Sequence, residues 1–151
     1  EADIIVTATG LQLQTLGGMK VSVDGTPQDI AKLMTYKGVL VQNLPNLGYL
    51  FGYTNISWTL KIDMAAQYLC RLIHEMDQRK AYIVTPRAPE DEVQTDSILG
   101  SLQAGYVKRG EAILPRQGRD LPWRVLHHLE KDREMFSRSL EDAALEWQLH
   151  G

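Results

Sequence analysis

The sequence contains one cysteine, Cys70, among 151 residues, so the chain can form no internal disulfide. It also lacks CxxC and paired Cys/His spacings, and no metal site is predicted. The net charge of −3 argues against a nucleic-acid partner, which would favour a basic surface. No apolar run approaches the roughly 20 residues that cross a bilayer, so no integral membrane span is predicted. A cytoplasmic protein that handles small molecules is the expectation that remains.

The first recognisable element is the apolar run in residues 3–8, which predicts a short buried strand. The strand runs into the small residues Ala8, Thr9 and Gly10. The chain begins without methionine, inside this strand, so we expect a piece of a longer protein whose sheet partners lie upstream. We further expect an exposed sheet edge to drive oligomer formation or swapped pairing in the isolated piece.

The centre of the chain predicts an α/β pattern. Asp24-Gly25 favours a tight turn, so residues 19–29 should form a hairpin. The apolar runs at residues 38–42 and 47–53 predict two strands. A polar stripe at every fourth residue predicts a long, largely buried helix over residues 57–79. A further strand is expected at residues 81–85.

The composition changes after residue 85, and this change predicts three units along the chain. Residues 1–85 form the α/β part, and the proline-rich and acidic residues 86–97 predict a loop or linker. Residues 98–151 are expected to be a mostly helical tail. One tail helix should start at Asp120-Leu121-Pro122, and a last one should run from Ser139 to Gln148.

The candidate site is the predicted junction between the third strand and the long helix, residues 52–58. Asn55 or Ser57 can cap the helix, whose N-terminus attracts electron-rich groups. Gly52 would let a flat or phosphorylated ligand approach the backbone, and Trp58 could pack on that ligand or serve as a core anchor. This junction and residues 8–10 both follow predicted strands, where open α/β sheets bind ligands. Strand–turn–helix junctions without any ligand are equally common in α/β domains.

Several motifs resemble a known family. The segments TATGL, YKGVLVQNLPN, GYTNISWTLKID and GYVKR resemble the C-terminal third of flavin-dependent Baeyer–Villiger monooxygenases, with the closest likeness to the ethionamide-activating group. The resemblance implies an incomplete part of an FAD-binding, dinucleotide-type sheet domain. It implies FAD and NADPH as cofactors and a ketone or thioether substrate, oxidised through a C4a-peroxyflavin.

The resemblance also implies which residues meet the cofactor. Ala8, Thr9 and Gly10 match the segment that re-enters the FAD domain. The isoalloxazine ring of FAD would lie along the junction residues, which are Gly52, Tyr53, Thr54, Asn55, Ser57 and Trp58.

Both dinucleotide fingerprints of the form GxGxxG are absent from this chain. We therefore expect no catalytic residue within it, and we expect the N-terminal FAD and NADPH domains of the same protein as its partners. The isolated piece should be inactive. The alternative reading is a non-catalytic module that folds alone and binds a small ligand or a partner.

Overall fold

The computed structural model describes residues 2–100, 102 and 104–150, which form a mixed α/β structure of three α-helices and four two-stranded antiparallel sheets. Two 3₁₀ turns, Thr15–Gly18 and Ile30–Lys32, lie near the start of the chain. The helices are α1 (Trp58–Arg79), α2 (Gly105–Gly110) and α3 (Leu129–Ser137). The strands are β1 (Val21–Val23), β2 (Thr26–Gln28), β3 (Thr35–Tyr36), β4 (Leu40–Val41), β5 (Ala81–Pro86), β6 (Gln94–Ser97), β7 (Arg116–Gly118) and β8 (Leu145–Leu149).

The hairpin around Asp24-Gly25 is confirmed. Strands β1 and β2 pair antiparallel, with Val23 opposite Thr26. Asp24 and Gly25 both have positive φ, at 49° and 79°, as a two-residue turn of this kind requires.

The long helix is also confirmed, and its bounds agree with the prediction to within one residue. Its predicted burial is wrong, because only one face is covered, and Leu60 and Ile73 are 44% and 59% exposed. Its buried residues, Lys61, Ala65, Tyr68 and Leu72, recur at helical spacing along one face. Lys80 ends the helix in the left-handed conformation, and the predicted strand β5 follows directly. No helix in the part of the chain that the structure describes is long and apolar enough to cross a membrane.

The main core is shared between the two halves of the chain. Strand β5 pairs antiparallel with β8, near the end of the chain. The buried residues of this core are Met34, Tyr36, Val39, Leu40, Ala65, Tyr68, Leu72, Val84, Trp123, Met135, Phe136, Leu140 and Leu145. Residues from both halves therefore bury one another, while the division of the chain at residues 86–97 stays a prediction.

The predicted mostly helical tail is wrong. Only α2 and α3 are helical among its described residues, and β7 and β8 are strands. The Ser139 hydroxyl accepts from the Glu141 N–H, and the Asp142 carboxylate accepts from the Ala144 N–H. These side chains form local turns that lead into β8, rather than the cap of a helix.

Two further predictions for the second half need correction. No helix begins at Asp120-Leu121-Pro122. The Asp120 carbonyl accepts from the Trp123 and Arg124 N–H groups in a single turn, but the next N–H, that of Val125, donates to the Gln117 side chain, and α3 starts only at Leu129. The predicted linker 86–97 ends in strand β6, which pairs with β7.

The strand predictions for the first half hold only in part. Residues 3–8 form no strand, and Ile4, Ile5 and Val6 are 81–85% exposed. The run 38–42 shortens to β4, and residues 47–53 contribute a single bridge, from Gly48 to Leu40. All pairings between the described strands are antiparallel. The dinucleotide-type sheet is therefore not confirmed.

Trp123 offers a test of the shared core. Its side chain is 1% exposed and its ring meets Tyr36 edge to face, with centroids 5.5 Å apart. Replacing it, as Trp123→Ala, should lower the free energy of unfolding by about 3–5 kcal/mol, because a large cavity remains. Urea denaturation of the purified protein measures this loss.

The matched control is Trp58→Ala, since Trp58 is 45% exposed. It should cost only about 1 kcal/mol, as is usual for a partly exposed side chain. Equal losses for the two variants would contradict the placement of Trp123 in the core.

Candidate functional site

The junction that leads into α1 is built on a close contact between Gly52 and Trp58. A methyl group added at Gly52 would lie 2.5 Å from the Cγ atom and the carbonyl oxygen of Trp58. The indole also packs edge to face against Phe51, at a centroid distance of 4.9 Å. The close approach predicted at Gly52 is thus made by Trp58 itself. Trp58 nevertheless remains 45% exposed.

The start of α1 lies where the sequence predicts it, but neither predicted cap is formed. Ser57 is the N-cap residue, yet its side chain makes no capping hydrogen bond and lies 3.1 Å from the Thr59 hydroxyl. The Asn55 side chain instead donates to the His127 carbonyl at 3.1 Å. The first-turn N–H groups of α1 therefore lack side-chain caps, and the positive end of the helix is available to an electron-rich group.

Behind the junction lies a buried ion pair that the sequence analysis did not predict. The Lys61 ammonium is 3.4 Å from Asp132 Oδ2, and the two side chains are 1% and 0% exposed. Lys61 Nζ also lies 5.3 Å from the centroid of the Tyr53 ring. Burial lowers the pKa of Lys61, and Asp132 opposes this shift.

One signal could have identified Lys61. It lies on the same helical face as the buried Ala65, Tyr68 and Leu72, so its position is that of a core residue. A lysine on an apolar face needs a buried anionic partner. That partner, Asp132, lies 71 residues away.

His127 lies in the segment before α3 and contacts the junction through Asn55. Its backbone has a φ of +50°, which is uncommon for a residue other than glycine. Its Nε2 atom lies 3.0 Å from the Ile98 carbonyl, which requires Nε2 to carry the proton. Burial lowers the pKa of His127, Lys61 lowers it further, and the Ile98 carbonyl and Asp132 oppose the shift. His127 is therefore neutral at pH 7.

The other predicted stretch, residues 8–10, precedes the junction in the chain. Ala8, Thr9 and Gly10 are exposed, and Gly10 has a φ of +84°. Thr9 and Gly10 line a cavity of about 460 Å³ together with Arg109, which donates to the Leu11 carbonyl at 3.2 Å. The sequence analysis did not single out Arg109.

A small hydrophobic cluster joins the two predicted stretches. Leu13 follows the first stretch, Phe51 precedes the second, and both pack against this cluster. Its buried members are Ile98, Leu99, Val107, Leu114 and Val125.

The known proteins that this chain resembles are all named as FAD-containing or FAD-binding monooxygenases. The chain is 51% identical over 150 residues to MymA of Mycobacterium tuberculosis, which is named as an FAD-containing monooxygenase, and the match covers 99% of this chain and 30% of MymA. It is 43% identical over 142 residues to AlmA of Acinetobacter baylyi, named as an FAD-binding monooxygenase, covering 94% of this chain and 28% of AlmA.

The FAD-containing monooxygenase EthA of M. tuberculosis is 40% identical over 141 residues, covering 93% of this chain and 29% of EthA. The chain thus spans about 30% of the length of the curated relatives that it matches. No family model matches the chain, and no solved structure does.

The environment of His127 predicts a pH dependence. Its pKa is lowered in the folded protein, so the unfolded state binds more protons as the pH falls below about 6.5. Stability should be highest above that pH and decline as the pH falls through the folded pKa. The His127→Asn variant should weaken this decline, and asparagine tolerates the positive φ at this position.

Urea unfolding between about pH 7.5 and 5.5 measures the effect, because most carboxylates stay ionised in that range. The control is His74→Asn, at an exposed position on α1, which should keep the wild-type pH dependence. An unchanged decline in His127→Asn would contradict the prediction.

Proposed function

We propose that this chain, which is similar over almost its whole length to the FAD-containing monooxygenases MymA and EthA, forms the C-terminal part of an enzyme of that kind. The observation that carries the proposal is the 51% identity to MymA across 99% of this chain. It agrees with the resemblance carried by the TATGL and GYTNISWTLKID motifs. The proposed enzyme uses FAD and NADPH and oxidises a ketone by oxygen insertion, or a thioether at sulfur.

The junction residues fit the flavin ring of FAD. The partly exposed indole of Trp58 offers a flat apolar surface, and the uncapped first turn of α1 offers backbone N–H groups. When bound, FAD supplies the redox chemistry that the side chains of this segment cannot perform. The N–H groups of the first turn would hold the electron-rich edge of the ring, as the positive end of α1 favours.

The remaining candidate residues have supporting roles in this proposal. Tyr53 is buried beneath the junction and supports its backbone, while Thr54 and Ser57 lie nearer the surface. Gly52 leaves room for the indole of Trp58, which together with Phe51 would shield one side of the flavin from water. Ala8, Thr9 and Gly10 would line the passage of the chain into the FAD domain.

The FAD domain itself is proposed to be a dinucleotide-type sheet that this chain completes. In that sheet, the exposed apolar residues Ile4, Ile5 and Val6 would pair with strands of the same protein. The chain contains neither dinucleotide fingerprint, so we expect it to be inactive without those domains.

The test is made on the full-length protein. It should purify with the visible absorbance bands of bound flavin, or acquire them on reconstitution with FAD. It should then consume NADPH faster when a ketone or thioether is added. A protein that stays colourless after reconstitution would refute the proposal.

A single substitution tests the junction within that protein. The change Gly52→Ala forces the Trp58 backbone and indole to move, so the FAD dissociation constant should rise at least about tenfold. Fluorescence titration of the apoprotein with FAD measures this constant.

The matched control is Gly105→Ala at the start of α2. There an added methyl group meets only the flexible end of Arg109, at 3.4 Å. This variant should bind FAD as the wild type does. Wild-type affinity in Gly52→Ala would remove Gly52 and Trp58 from the proposed site.

A further inference from the structure

The Lys61–Asp132 pair stands in a position that does not favour a lysine. Lys61 is the fourth residue of α1, where the positive end of the helix dipole opposes a cation. Its ammonium group is removed from water and has one anionic partner, at 3.4 Å. Replacing such a buried pair with apolar residues is often neutral or stabilising in proteins. Stability alone therefore does not account for the pair.

The pair joins the first turns of two helices. Asp132 is the fourth residue of α3, and its Oδ2 atom accepts from the His128 N–H at 3.3 Å as well as facing Lys61. The Tyr53 ring lies against the Lys61 ammonium. Within the described part of the chain, the Tyr53 hydroxyl and Asp132 Oδ1 are buried and have no hydrogen-bond partner. Several polar atoms thus meet at one buried point behind the junction.

The same junction has a second connection to the segment before α3. The Asn55 side chain donates to the His127 carbonyl at 3.1 Å, on the exposed side of the junction. Residues 53–61 are therefore attached to residues 127–132 by an exposed hydrogen bond and a buried ion pair, and the Tyr53 and His127 rings also meet edge to face, with centroids 6.5 Å apart. A directional ion pair resists sliding of one segment along the other better than an apolar contact does.

We propose that Lys61 is a positioning residue for the cofactor site: through Asp132 and Tyr53 it holds the first turn of α1 and the Trp58 indole in the orientation that receives the flavin. This inference rests on the proposed function. Lys61 itself lies behind the junction and does not touch the cofactor. Its contribution is to reduce the reorganisation that cofactor binding would otherwise require.

The experiment uses the full-length protein and the double variant Lys61→Met/Asp132→Leu, which removes both charges and places an apolar side chain at each position. If the pair positions the site, the melting temperature should stay within about 5 °C of the wild type. The FAD dissociation constant should rise about tenfold because the junction is no longer held in place. The visible absorbance bands of the bound flavin should shift as well.

The control is the double variant Glu134→Gln/Arg138→Gln, which removes an exposed ion pair of α3 and its C-cap. It should leave melting, FAD affinity and the flavin spectrum unchanged. Wild-type affinity and spectrum in Lys61→Met/Asp132→Leu would overturn the inference and leave the proposed function intact. A wild-type protein that binds no FAD would instead refute the proposed function.

A second variant tests the inference if Lys61→Met/Asp132→Leu does not fold. Asp132→Asn keeps the volume and one oxygen while removing the negative charge. Weaker FAD binding by folded Asp132→Asn supports the positioning role, and wild-type binding overturns it. If neither variant folds, the pair serves the fold rather than the site, and the inference is overturned.

Discussion

The structure depends on the burial of helix α1 by segments from both halves of the chain. Tyr68, near the middle of the helix, is 1% exposed, and its ring lies 5.7 Å from that of Phe136 in α3. The Lys37 ammonium lies 4.9 Å from the centroid of the Tyr68 ring. Arg71 extends the contact by donating to the Phe136 and Arg138 carbonyls at 2.7 Å. These contacts fix the position of α1, and with it the position of the junction at residues 52–58 that leads into the helix.

The first turn of α1 is the end that matters for the proposed chemistry. The chain reaches it through Gly52 and Trp58, which pack too closely for any larger residue at position 52. Asn55 and Lys61 attach the turn to the segment before and within α3. The geometry of the candidate site is thus set by the same long-range packing that buries the helix.

Local signals explain which elements could be predicted from the sequence. The Asp24-Gly25 turn and α1 each carry their information within a few consecutive residues, and both are confirmed. The sequence analysis missed strand β8 because the strand it pairs with, β5, lies far earlier in the chain, as in the pairing of Pro86 with Leu145. Ser139 and Asp142 have the spacing of a helix cap, but the same side chains also stabilise turns.

The site was predictable to a similar degree. Gly52 and the predicted start of the helix identified residues 52–58 as a candidate site. The residues that contact this junction from the second half of the chain, such as His127, could not be predicted from the sequence. Asp132 lies far from Lys61 in the chain, and a lysine is usually taken to be solvated. The strand at residues 3–8 has the right composition, yet Ile4–Val6 find no partner among the described residues. A strand requires a second strand, and composition alone does not supply one.

The electrostatics of the junction favour backbone groups over side-chain charge as its recognition element. Lys61 and Asp132 cancel each other at short range, so together they add little net charge to the junction. The remaining polar feature is the uncapped first turn of α1, whose N–H groups have a fixed direction. A group that gains electron density would be stabilised there without a counter-ion that could itself titrate. The buried pair is therefore better suited to holding that turn in place than to charging it.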